Sequence, residues 1–333
     1  MFFKDKNVLV IGGTGTIGRS IVKSLVKQSP NMIKIFSRDE YKQYHFQNEL
    51  GKLKNVKFLL GDIRNYQRVV EVMENVDYVF HLAAMKHVTS CEFNPYEAVL
   101  TNVHGTHNIV KAATAQGVKK VVFTSSDKAI NPANSYGATK LIAERLMTSE
   151  GEGMSSSPVF ASVRFGNVMG SRGSVIPLFK KQIVEDRKIT VTDRTMTRFM
   201  MTLRQATDLT MKALEEAEGG EVFVLKMPVI LLGDLSDILI EEISKQQGLD
   251  PSSIRVEEIG VRPGEKMYEE LMTYEESLTA LELTDMYVIG RHSGLNSAYA
   301  QVRKAVPGTY SSSNETPIKK QELYQLLKGE AFI

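Results

Sequence analysis

Short apolar runs alternate with amphipathic stretches from the first residues of the chain. Asn7–Ile11 is apolar after its first residue, as in a strand buried on both faces. Behind it the apolar positions fall at Ile21, Val22, Leu25 and Val26, the three-and-four spacing of a helix with one buried face, and Pro30 closes that helix. The alternation then repeats. Residues 33–36 predict a second strand, residues 37–40 open a helix that ends before Gly51, and residues 56–60 predict a third strand. A helix over 68–73 leads to a fourth strand at 78–81. A long helical region is expected from about Glu97 to Ala115, with Gly117 as its stop. Residues 119–123 predict a fifth strand, and a helical pattern follows from Tyr136 through Met147. Residues 162–165 predict a sixth strand. Such alternation builds an α/β fold, a Rossmann-like doubly wound parallel sheet with right-handed crossovers, here over residues 1–165. Beyond it the pattern loosens. Residues 189–192, 221–224 and 286–289 look like short strands among helices. Residues 166–333 are therefore expected to be mainly a smaller C-terminal substrate-binding lobe, with segments returning to the core. Residues 308–317 are polar and turn-rich and predict a loose tail segment.

Composition narrows the function classes. The 333 residues are 42% hydrophobic and 24% charged, ordinary for a soluble protein and enough for a nucleotide-binding core plus a second lobe. A formal net charge of +2 weighs against nucleic acid as the main partner and suits an anionic small molecule. Cys91 is the single cysteine, so no intrachain disulfide and no metal cluster is expected, and a reducing cytoplasm is the expected location. Residues 1–5 lack a signal-peptide layout and no apolar run approaches spanning length, so no membrane partner is expected.

The turn after the first strand reads Gly13-x-Gly15-x-x-Gly18, with Gly12 also fitting a wider spacing. Between a strand and a helix, such glycines let the backbone approach a pyrophosphate, which the helix amino end then binds. Residues 37–40, Ser-Arg-Asp-Glu, end the second strand, where the adenosine ribose should lie. An acidic residue there favours NAD and an arginine favours NADP. The competing reading is a capping box with Ser37 at the cap and Glu40 three residues on, which leaves Arg38 to face a 2′-phosphate and favours NADP. Asp62 reads equally as an adenine contact or as the cap of the next helix.

Tyr136 and Lys140 are four apart and share one helical face. A cation near a phenol favours phenolate, and the pair sits after the fifth strand, where it could take a hydroxyl proton as the carbon beneath gives up hydride. Asp127-Lys128 is the unusual feature. A plain dehydrogenase or epimerase has no need of a second acid and base, so this pair implies a further proton transfer; the alternative is a surface ion pair capping a loop. Lys86, after the fourth strand, reads as a substrate contact or as solvated surface.

At these residues the chain resembles the extended short-chain dehydrogenases/reductases. It is most similar to the nucleotide-sugar 4,6-dehydratases of the flagellin-glycosylation and polysaccharide-biosynthesis type, which act on UDP-N-acetylglucosamine with inversion at C5. The matching segments include residues 12–18, 83–88, 125–129, 136–140, 164–168, 170–175, 196–199 and 262–266, within about residues 4–275. Ser126 stands where the family usually has threonine, and the carboxyl third matches least well. The resemblance implies catalysis by Ser126, Asp127, Lys128, Tyr136 and Lys140. It implies cofactor contacts at Gly12, Thr14, Gly15, Thr16, Ile17, Gly18, Ser37, Arg38, Asp39, Asp62, Ile63, Ala83, Ala84, Thr124 and Ser125, besides Tyr136 and Lys140. It implies substrate contacts at Lys86, Asn167, Arg172, Ser174, Arg262 and Glu265, the arginines meeting the diphosphate of a UDP-sugar. In that chemistry Tyr136 takes the 4-hydroxyl proton, a neutral Lys128 takes the C5 proton and a protonated Asp127 gives one to the departing 6-hydroxyl. NADP, with NAD as the alternative, is regenerated each cycle. A homo-oligomer, dimer or hexamer, is expected. The competing activities are a 6-dehydratase releasing a 5,6-ene, a UDP-hexose 4-epimerase, a 4-keto reductase and a non-catalytic NADP-binding regulator.

Overall fold

A computed structural model describes residues 1–149, 158–171, 173–261, 264–290 and 299–333. In the first half, strands and helices alternate as β1 (Asn7–Ile11), α1 (Thr16–Val26), β2 (Met32–Ser37), α2 (Glu40–Leu50), β3 (Val56–Leu60), α3 (Tyr66–Met73) and β4 (Tyr78–His81). There follow α4 (Val88–Phe93), α5 (Pro95–Ala98), a π-helical segment (Val99–His104), α6 (Gly105–Ala115), β5 (Lys120–Thr124), α7 (Ser135–Ser149) and β6 (Val159–Arg164). The long helix expected over 97–115 is thus interrupted by a wider turn, and Gly117 ends it with φ +64°.

The later chain adds β7 (Asn167–Val168), α8 (Val175–Asp186), β8 (Lys188–Val191), β9 (Thr197–Met201), α9 (Leu203–Glu216), β10 (Val222–Leu225), β11 (Val229–Leu231) and α10 (Leu232–Gln247). It ends with β12 (Arg255–Glu258), β13 (Glu270–Met272), α11 (Tyr274–Ser277), β14 (Leu281–Glu282), β15 (Met286–Ile289), β16 (Tyr310–Ser311) and α12 (Lys320–Gly329).

The main sheet runs β14-β15-β10-β6-β5-β4-β1-β2-β3. Its seven strands from β10 to β3 are parallel, and β15 and β14 close one edge antiparallel. The reversal of order between β1 and β4 is the switch point where a doubly wound sheet opens a crevice at its strand carboxyl ends. The run Val8–Ile11 is wholly buried because helices cover both sheet faces. Two of the late strands expected from sequence, β10 and β15, extend this sheet rather than the second lobe. The α9 helix packs on the same side as α1, tied by Thr207 Oγ1 to Ser20 Oγ at 2.7 Å.

A second apolar cluster joins α8, β8, α10 and α12 through Ile176, Phe179, Ile183, Leu235, Leu239 and Leu323. A small sheet, β11-β9-β7, bridges toward the site, and β13 pairs with β16. That last pairing corrects the loose-tail expectation for residues 308–317. Ser311 and Ser312 are buried, and the Tyr310 hydroxyl accepts a hydrogen bond from Met227 N at 2.8 Å. Polar residues there satisfy partners remote in sequence, so their composition reads as a tail while their contacts hold them in place.

Candidate active site

The site is assembled at the carboxyl ends of β1, β4 and β5. Gly12 turns the chain with φ +78°, and a Cβ there would stand 2.8 Å from Ala83 N, so only glycine lets the two strand ends close up. Gly15 caps α1 without a side-chain hydrogen bond, leaving the first amides of that helix open to an anion. A cleft of ≈ 850 Å³ begins here, taking in Gly12, Gly15, Thr16, Ile17 and Gly18. It passes Ala84, Thr124 and Ser125 on the way to Tyr136 and Lys140, and Lys86, Asn167 and Ser174 line its far side. Thr14, Ser37, Asp39, Asp62, Ile63 and Ala83 do not line it. Of these, Thr14 and Ile63 are buried.

The adenosine end corrects two local readings. The cap of α2 is Asp39, whose Oδ1 accepts from Lys42 N at 2.9 Å, and the Ser37 hydroxyl instead accepts from Gln43 Nε2 at 3.0 Å. Helix α3 is capped by Asn65, and Asp62 accepts from Arg64 N at 3.0 Å in a tight turn. Asp39 is the extended residue directly before its helix, so its carboxylate and not the Ser37 hydroxyl reaches the free amides. Arg38 remains half exposed on the cleft wall beside Lys42, 3.8 Å from Asp62.

Tyr136 and Lys140 lie on the first turns of α7 and both are buried. Gly137 allows this approach, since a Cβ there would lie 2.1 Å from the Lys128 carbonyl oxygen. The Lys140 ammonium donates to Thr124 O and stands 3.8 Å over the Phe123 ring. Burial pushes its pKa down to about 7, against the pull of Glu144. Burial raises the Tyr136 phenol, while the Lys128 cation and a hydrogen bond with Ser126 oppose that rise. The cation acting on the phenol is therefore Lys128, where the helical spacing had pointed to Lys140.

Ser126 links the two halves of the chemistry. Its Oγ donates to Asp127 Oδ1 at 2.7 Å, and Lys128 Nζ donates to Asp127 Oδ2 at 2.8 Å. Asp127 and Lys128 line both the main cleft and an adjoining pocket of ≈ 240 Å³, so they face the site and are no surface pair. Burial alone would lower the Lys128 pKa, but Asp127 and then Glu269 overcome it and hold the group above its ordinary value. The neutral lysine expected from sequence is thus an ion-paired ammonium in this state.

The pocket also brings in residues that the sequence reading missed. Glu269, just before β13, lies 3.8 Å from Lys128 Nζ and 3.5 Å from Arg198 Nε, and accepts from Asn167 Nδ2 at 2.8 Å. Burial and the neighbouring Asp127 charge push its pKa up to about 7. Glu265 lines the same pocket. The Ser174 hydroxyl, at the N-cap of α8, is buried with no hydrogen-bond partner among the described residues. Arg172 and Arg262 lie outside the described residues.

The glycine cradle and open helix end fit a dinucleotide, and the buried tyrosine beside an acid–base pair fits oxidation coupled to a proton transfer. Residues 8–291 match the model of a family described as polysaccharide biosynthesis protein. The chain is 35% identical to the UDP-N-acetylglucosamine 4,6-dehydratase (inverting) of Campylobacter jejuni, covering 98% of each chain. It is 39% identical to the UDP-glucose 4-epimerase of Rickettsia bellii, over 98% of this chain and 96% of that one. A solved structure, Pen from Bacillus thuringiensis, is 58% identical with a TM-score of 0.94 and full coverage of both chains. The chain belongs to the polysaccharide biosynthesis protein family, a group of extended short-chain dehydrogenases/reductases whose members include nucleotide-sugar dehydratases and epimerases.

Proposed function

We propose that this enzyme is a UDP-N-acetylglucosamine 4,6-dehydratase that forms a UDP-4-keto-6-deoxy sugar with inversion at C5. The observation that carries this reading is the Asp127–Lys128 pair, which faces the cleft and is joined through Ser126 to Tyr136. A nicotinamide dinucleotide, held at the glycine turn, supplies reversible hydride transfer at the sugar. Tyr136 accepts the 4-hydroxyl proton as C4 is oxidised. The resulting ketone acidifies the C5 hydrogen.

One proton move across the 2.8 Å contact, from Lys128 Nζ to Asp127 Oδ2, converts the resting ion pair into a neutral amine and a carboxylic acid. Lys128 then removes the C5 proton, and Asp127 protonates the departing 6-hydroxyl, which leaves as water. The pair returns to ammonium and carboxylate, ready to reprotonate C5 as hydride returns to C6. Ser174, whose hydroxyl at a helix start has no partner among the described residues, and Lys86 on the same cleft wall suit the diphosphate and sugar. Arg172, Arg262, Asn167 and Glu265 complete the proposed substrate contacts.

The cofactor preference proposed is NADP. Asp39 is engaged in capping α2, whereas Arg38 and Lys42 border the adenosine end as cations. Calorimetry should give tighter binding of NADP than NAD, with the difference lost in Arg38→Ala. The enzyme is further proposed to act as a cytoplasmic homo-oligomer, a dimer or hexamer.

A 4-epimerase is the second reading, favoured by the name of the Rickettsia bellii relative. Incubation with UDP-N-acetylglucosamine in heavy water, followed by mass spectrometry and NMR, separates them. The dehydratase loses one water and places deuterium at C5. A product of unchanged composition, epimeric at C4, would overturn the proposal, and a 5,6-ene would redirect it to the shorter 6-dehydratase course.

A further inference from the structure

We propose that Glu269 is a positioning residue for the elimination, acting through Asp127 and Lys128. The inference rests on the dehydratase reading above and deepens it. Glu269 is buried, yet its carboxylate borders the pocket that Asp127 and Lys128 share. Asn167 Nδ2 donates to both its oxygens, at 2.8 and 3.0 Å, and Phe199 N donates to Oε2 at 3.0 Å. These neutral donors from β7 and β9 fix the carboxylate, while the 3.8 Å approach to Lys128 Nζ places it as a second anion beside the dyad.

The charged groups around it come from several elements. Asp127 and Lys128 stand on the turn after β5, Arg198 lies on β9, and Tyr136 faces Lys128 from α7. Glu265, Lys266 and Glu270 line the same pocket, the last two paired with each other at 3.5 Å. In that setting an ionised Glu269 anchors the Lys128 amine beside Asp127 through its 3.8 Å contact with Nζ. When Glu269 takes up a proton, that ionic anchor is lost. Burial and the Asp127 charge place that event at about pH 7.

The test is the pH profile of kcat for dehydration of UDP-N-acetylglucosamine by the wild type, Glu269→Gln and Glu269→Asp. The wild type should gain rate as pH rises through about 7. Glu269→Gln should lose that limb and fall on the order of 10²-fold at pH above it, as expected for a misplaced reacting group. Glu269→Asp, which keeps the charge on a shorter arm, should restore the limb at a reduced rate. A nitrogen NMR titration of the Lys128 amine gives a readout apart from turnover, with a shift near the same pH in the wild type that is absent in Glu269→Gln. If the wild type dehydrates while Glu269→Gln keeps both its rate and its profile, the role of Glu269 is overturned and the dehydratase reading survives. If the wild type removes no water from the substrate, the dehydratase reading falls and this role falls with it.

Discussion

Two buried ionic clusters, one centred on Arg164 at the end of β6 and one on Lys128 after β5, are built to opposite ends. In the first, Arg164 is completely buried and its guanidinium is saturated. It donates to Glu144 at 2.8 and 2.5 Å, to Glu276 at 2.8 and 2.7 Å, and to Leu271 O at 3.3 Å. Burial would raise the Glu144 carboxyl, but Arg164 overrides that and holds it below its ordinary value. In the second, one ammonium, Lys128, faces Asp127 and Glu269, and Glu269 is pushed up to about 7. The first cluster has a planar fork with two carboxylates in matching geometry, a closed arrangement that fixes α7 against β6 and α11. The second has a point charge between two unequal partners and a pocket on its open side. Burial of charge is common to both. What separates structure from chemistry is whether the proton inventory can change at neutral pH.

That contrast can be broken by substitution. The largest effect on folding should come from Arg164→Ala, which strands Glu144 in the core and should remove about 3–5 kcal/mol of stability, read by denaturant unfolding. A loss below about 1 kcal/mol would mean that the saturated cluster is not a structural lock. Lys128→Ala should act on the other axis. Dehydration should drop on the order of 10²–10⁴-fold, while the unfolding midpoint stays close to that of the wild type. If instead it unfolds the protein as Arg164→Ala does, the two clusters are of one kind.

The last and most diagnostic effect concerns Lys140, and it is read as a slope against pH. Its folded pKa of about 7 lies below the ordinary lysine value of 10.5, so the unfolded chain binds more protons between those values. Stability should therefore rise with pH across that window, by up to about 1.4 kcal/mol per unit, and Lys140→Met should flatten the rise. Melting curves of both proteins from pH 7 to 10 would measure it. A wild-type slope that is flat or negative and unchanged in the variant would show that Lys140 is not held in a desolvated state.

Much of the site was legible because its first components are local. The glycine turn is a strand, a turn and a helix within one stretch, and its backbone requirement reaches the sequence as glycine itself. Tyr136 and Lys140 needed only the helical period to be placed on one face, and Asp127 and Lys128 are adjacent. Glu269 was out of reach. It is brought to the dyad by the pairing of β13 with β16 and by Asn167 and Arg198 on other strands, and nothing in its neighbours' spacing encodes that meeting. The acidic pair Glu269–Glu270 directly before the apolar Leu271–Met272 is the one local signal, a carboxylate entering a strand where it has no ordinary place.

The amino-acid order by itself determined the parallel sheet, the cofactor turn and the presence of an acid, a base and a phenol near one strand end, because each follows from short-range periodicity and backbone sterics. The tertiary structure alone decided which late strands, β10 and β15, return to the main sheet, that residues 310–312 are held in the core, and that Lys128 is charged between two carboxylates. Those outcomes depend on desolvation and on contacts between segments far apart in the chain, and a proton's resting place is set by the whole of its surroundings.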